Sequence, residues 1–111
     1  MFKTFLSILA ALAFQITFAP KASFADAHKG SAKIKVLLID GQNNHDWKRC
    51  SPVMMETLEA TGRFTIEVAT VSKAEVAGFN PDFKKYDVVL SNYNGASWTK
   101  KTEESFVRYI K

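Results

Sequence analysis

The chain has 111 residues, 47% of them hydrophobic, with 15 Lys+Arg against 11 Asp+Glu and a single cysteine. That length holds one small domain, and one thiol cannot close an internal disulfide, so a covalent framework is excluded. The net charge of +4 is dispersed: Lys84-Lys85 and Lys100-Lys101 are isolated pairs with no interleaved aromatic residues, which speaks against a nucleic-acid partner.

Residues 1–27 place Lys3 ahead of an apolar run from Phe5 to Ala19, broken only by Ser7, Gln15 and Thr17. They close on Pro20 and the small-residue end Ala25-Asp26-Ala27. This is the layout of a cleavable secretory signal with an A-x-A site, and the run is short for a full membrane span. The expectation is an exported protein, periplasmic or secreted, whose mature domain occupies 28–111 and has no membrane association once the signal is removed.

Lys33 to Asp40 follows as the first element. Ile34, Val36, Leu37, Leu38 and Ile39 form an apolar, β-branched run too short for an ordinary helix, which reads as a strand buried on both faces of a parallel sheet. It ends in Gly41-Gln42-Asn43-Asn44-His45-Asp46-Trp47. Ser51-Pro52 then predicts a helix start, Ser51 as N-cap and Pro52 at the first helical position. Met54, Met55 and Leu58 give that helix an apolar face, and Gly62 stops it.

Phe64, Ile66 and Val68 alternate with polar or small residues, the period of a half-covered strand. Ser72 to Glu75 has capping-box spacing and predicts a short helix ended by Gly78. Phe79 and Phe83 flank the Asn80-Pro81 turn and are expected to pin this connection onto the sheet. Tyr86 to Leu90 is a third apolar run, ending in Ser91-Asn92-Tyr93-Asn94-Gly95. Thr99 to Lys111 predicts a last helix capped by Thr99, with Phe106, Val107 and Ile110 on its apolar side.

Strands alternating with helices imply right-handed crossovers and a parallel sheet. The predicted fold is α/β, a three-layer doubly wound sheet of flavodoxin-like type with strand order 2-1-3. That order sets loops 41–47 and 91–97 side by side at the carboxyl ends of the strands, where open α/β sheets bind ligands. Three strands leave the third with an unpaired edge. The fold therefore reads as apparently truncated, with a missing C-terminal half or a homo-oligomeric partner expected along that edge.

Within those loops His45 is the candidate acid/base, with Asp46 as the carboxylate that orients it. Gln42, Asn43, Asn44, Asn92 and Asn94 offer paired amide donors and acceptors suited to a hydroxyl-rich ligand. Trp47, Tyr93 and Trp98 offer stacking faces for a sugar ring. One His and one Asp fall short of the three protein ligands of a catalytic metal, so no metal is expected, and the residues specify no cofactor. Cys50 follows no nucleophile elbow and reads as a packing residue. Gly41 stands alone, which rules out a phosphate-binding glycine loop by spacing.

The segments K-V-L-L-I-D-G-Q-N-N-H-D-W, S-P-V-M-M-E-T-L-E-A-T-G-R-F and F-N-P-D-F-K-K-Y-D-V-V-L-S-N-Y-N-G, with Trp98 beyond, carry a resemblance. Over residues 33–111 the chain resembles the N-terminal half of ThuA-like (trehalose utilisation) domains, relatives of the class I glutamine amidotransferase-like fold. The motif residues matched are His45, Asp46, Trp47, Asn92 and Asn94. The resemblance implies a small-molecule carbohydrate ligand and a role in carbohydrate metabolism. Family members continue into a Gly-rich turn and a further core strand that this sequence does not contain. Three functions follow as expectations: a domain that binds or acts on a sugar or sugar derivative, a non-catalytic carbohydrate-binding or protein-interaction module, or an inactive fragment of a longer protein.

Overall fold

The computed structural model describes residues 30–111, so the expected signal at 1–27 lies outside the described residues. The elements are β1 (Ile34–Asp40), α1 (Trp47–Glu59), β2 (Phe64–Thr70), a 3-10 turn (Phe83–Lys85), β3 (Val88–Ser91) and α2 (Lys100–Ile110). The strands form one parallel sheet in the order β2-β1-β3, with Ile34 to Asp40 opposite Phe64 to Thr70 and Val36 to Ile39 opposite Val88 to Ser91. This is the predicted doubly wound α/β arrangement, with β1 central. Val36 to Ile39 are almost wholly buried, as a strand covered on both faces requires.

The two faces of β1 meet different material. Leu37 and Ile39 join Val71, Val76 and Phe83 in the main core, and Phe79, Trp98, Phe106 and Tyr109 pack around it from the β2–β3 connection, the β3–α2 loop and α2. Phe83 sits among aromatic neighbours, its ring centroid 5.2 Å from Phe106 and 6.2 Å from Trp98. These pairs add to the burial of each ring about 0.5–1.5 kcal/mol. Val36 and Leu38 face the other way, towards α1, which contributes nothing to the aromatic cluster.

One predicted boundary moves and one predicted helix is replaced by a turn. The first helix starts at Trp47, not after Ser51, because the Asp46 side chain accepts the Arg49 N–H and its carbonyl accepts those of Arg49 and Cys50. That makes Asp46 the N-cap. Pro52 therefore lies inside α1, where the missing N–H removes the bond that would run to the Lys48 carbonyl. Ser51 is buried on the sheet side.

The capping-box segment gives a turn rather than an α-helix. The Glu75 carboxylate takes the Ser72 N–H at 2.9 Å, but only local turn bonds follow, Gly78 N–H to the Glu75 carbonyl among them. The five residues between Ser72 and Gly78 are too few to propagate a helix.

Gly41 occupies the crossing of two chain exits. Its φ is +112°, and a Cβ there would lie 2.5 Å from the backbone N and O of Val71. Only glycine leaves room for the leaving ends of β1 and β2 to come together while adopting that dihedral. Both outer strands have exposed apolar side chains: Val68 on β2 is 40% exposed and Val88 on β3 is 42% exposed. No helix among the described residues is long and apolar enough to cross a membrane.

Candidate functional site

The carboxyl ends of all three strands lie at one rim, and β1 and β3 send their polar loops into contact there. Asn94 N–H donates to the Gln42 carbonyl at 2.8 Å, and Asn92 N–H donates to that of Ile39 at 2.8 Å. The Gln42 side chain ties the loops further. Its Nε2 donates to the Val71 carbonyl at 3.2 Å and to the Tyr93 hydroxyl at 3.0 Å, and its Oε1 accepts the Ala96 N–H at 3.2 Å. Gly95 lies so close that a Cβ would fall 2.3 Å from that of Gln42. The predicted crevice between the two loops is therefore filled by Gln42 itself.

Asn92 is the hub of the rim. It is 7% exposed at the end of β3, and its Oδ1 receives Asn43 Nδ2 at 3.2 Å and meets His45 Nε2 at 3.0 Å. Its Nδ2 donates to Ser51 Oγ on α1 at 3.0 Å. Asn43 in turn donates to the Asn92 carbonyl at 3.2 Å and accepts the Asn44 N–H at 2.8 Å. A buried side-chain amide needs its polar atoms satisfied, and here both loops and the helix supply the partners. The imidazole is thus held by Asn92. Asp46, expected to orient it, is committed to capping α1.

The open space lies on the α1 side of this network. A cavity of about 590 Å³ is lined by His45, Asp46 and Asn92 from the loops and by Arg49, Cys50, Val53 and Met54 from α1. The helical lining falls at positions 49, 50, 53 and 54, the spacing of one helix face. Cys50, expected to pack, is exposed. Sequence reasoning missed this face because it began the helix a turn late.

The remaining predicted residues divide. Asn44 and Asn94 are exposed at the rim and Trp47 is half-buried at the start of α1, with the Lys48 ammonium 5.6 Å from its ring centroid. Tyr93 is turned inward, its hydroxyl donating to the Ala96 carbonyl at 2.6 Å, and burial pushes its ionisation upward. Trp98 packs at tilted angles against Phe79 and Tyr93 and edge-on against Phe106, within the core rather than facing a ligand. At the end of β1 the buried Asp40 carboxylate accepts the Thr70 hydroxyl at 2.7 Å. Among the described residues no three His, Cys, Asp or Glu side chains cluster as a metal-ligand set.

Sheet order, flanking helices and a polar rim at the carboxyl ends together define a doubly wound α/β domain with its candidate site in the usual place for that class. The crystal structure of a ThuA-like protein from Parabacteroides merdae matches this chain with a TM-score of 0.68 and 38% identity, over 71% of this chain and 29% of that one. That likeness supports a ThuA-like domain. No family model matches. Among curated proteins, hydroxylamine reductases of Clostridium novyi and Bacteroides fragilis are 40% and 34% identical over 68 and 88 residues, or 61% and 72% of this chain. The chain spans only 11% and 16% of their lengths.

Proposed function

We propose that this chain is an exported ThuA-like domain that binds or acts on a sugar or sugar derivative at the carboxyl ends of its strands. The observation that carries the reading is the convergence of His45, Asn43 and Asn92 beside a cavity at that rim, in a chain similar to a ThuA-like protein. His45 acts as the acid/base. Asn44 and Asn94, exposed at the rim, supply hydroxyl contacts, and Trp47 supplies an apolar face. Arg49 in the cavity wall suits an oxidised sugar, because a guanidinium pairs with a carboxylate through two parallel hydrogen bonds. The short stretch shared with the hydroxylamine reductases carries no reductase step into this proposal. Calorimetry with sugars and sugar acids, followed by assay for product, tests the reading. Saturable binding that His45→Ala weakens supports it, and turnover separates an enzyme from a binding module. No binding by any candidate sugar removes it.

A second reading is a protein-interaction module, favoured by the exposed Val88 on the outer strand β3 and by Ile110, 62% exposed on α2. Here a second copy or a further stretch of chain pairs along the β3 edge. Sedimentation of the mature protein tests the second copy: a dimer dispersed by Val88→Lys supports it, and a monomer at all concentrations rejects it.

A further inference from the structure

The rim network fixes where the imidazole proton sits, through two backbone groups whose hydrogen-bonding roles cannot be exchanged. The Asn44 N–H can only donate, so the Asn43 side-chain atom 2.8 Å from it is the amide oxygen. The Asn92 carbonyl can only accept, so the Asn43 atom 3.2 Å from it is the amide nitrogen. Both anchors orient the Asn43 amide the same way. Its Nδ2 also lies 3.2 Å from a side-chain atom of Asn92, which must then be the acceptor Oδ1. That leaves the Asn92 Nδ2 to donate to Ser51 Oγ at 3.0 Å.

His45 Nε2 approaches the same Oδ1 at 3.0 Å. An amide oxygen offers no proton, so Nε2 must carry one. We propose that Asn92 is a positioning residue that holds neutral His45 in the Nε2–H tautomer, leaving Nδ1 as the lone acceptor of the ring. Nδ1 has no hydrogen-bond partner among the described residues, and His45 belongs to the cavity wall. On protonation both ring nitrogens become donors and the bond from Nε2 to Asn92 persists. The imidazole therefore takes up and releases a proton at Nδ1 without rearranging Asn43, Asn92 or Ser51. The catalytic consequence rests on the reading of His45 as the acid/base, whereas the tautomer belongs to the ligand-free protein.

Long-range proton–nitrogen correlations of the imidazole in ¹⁵N-labelled mature protein, recorded without sugar at a pH where the ring is neutral, test it. His45 is identified by its loss in His45→Gln. The wild-type ring is expected to carry its proton on Nε2, with Nδ1 bare. Asn43→Leu, which removes the anchor but touches no ring atom, frees the Asn92 amide to turn and shifts the two ring nitrogens towards averaged values. Asn92→Asp presents only acceptor atoms and keeps the wild-type pattern. A wild-type or Asn92→Asp ring protonated on Nδ1 overturns the assignment. So does an unchanged pattern in Asn43→Leu when its amide spectrum stays native. Because no sugar is present, failure of the sugar-binding reading leaves this result standing, and the reverse also holds.

Discussion

The two faces of the sheet are built for different ends. Against Leu37 and Ile39 the chain places Val71, Val76, Phe83 and a ring of aromatic residues, and the buried Thr102 donates its hydroxyl to the Phe79 carbonyl. The face towards α1 carries Val36 and Leu38 but ends in buried Asp40, Ser51 and Asn92, with a cavity beside them. Apolar burial supplies most of the folding free energy, so a small domain can hold a polar, partly open rim on one side only if the other side is filled. Substitutions on the aromatic face should cost stability, and those at the rim should chiefly alter what the site does.

The largest expected effect is on the filled face. Phe83→Ala removes a ring that is 1% exposed, and truncation of such a residue costs about 3–5 kcal/mol, read as the loss in urea unfolding free energy. For so small a domain that loss leaves little native protein at room temperature. Gly41→Ala comes next, at about 1–3 kcal/mol, because it forces a side chain into a positive φ against the Val71 backbone. The substitution strains the exits of β1 and β2 together, and with them the base of the rim.

Asn92→Ala should cost about 1–3 kcal/mol for the polar partners left unsatisfied around it. Unlike Phe83→Ala, it should also free the imidazole from its hydrogen bond, detected as averaged ring-nitrogen shifts of neutral His45 by NMR. The smallest effect lies away from both faces. The Glu75 carboxyl is held below its ordinary value, first by the Ser72 hydroxyl and then by the Ser72 N–H. A lowered carboxylate stabilises the fold above its unfolded-state value, and that contribution disappears as pH falls through the folded value. Ser72→Ala should raise the Glu75 midpoint towards the ordinary range in an NMR titration, with little change in global stability.

Legibility in the sequence followed the same division. The strands, their order, the Thr99 cap and the core roles of Phe79 and Phe83 could be read because apolar period and crossover handedness specify them locally. The rim loops came together as expected, yet the roles within them did not follow from residue type. Gln42 fills the gap it was expected to border, and Asp46 caps a helix where a partner for His45 was expected. An amide or carboxylate serves a ligand or the backbone equally well, and only the distances decide. Ser51-Pro52 reads as the helix start, past the Asp46 cap that the structure shows, and this conceals the cavity-lining face of α1.

The most direct measurement is amide shift mapping of the ¹⁵N-labelled protein during titration with hexoses and hexuronic acids. Saturable shifts confined to residues 43–54 and 92–94, lost in His45→Ala while the fold is retained, are expected. Shifts gathered at the opposite end of the sheet, around Lys33, Lys35 and Tyr86, or saturable binding that His45→Ala leaves untouched, would contradict this reading.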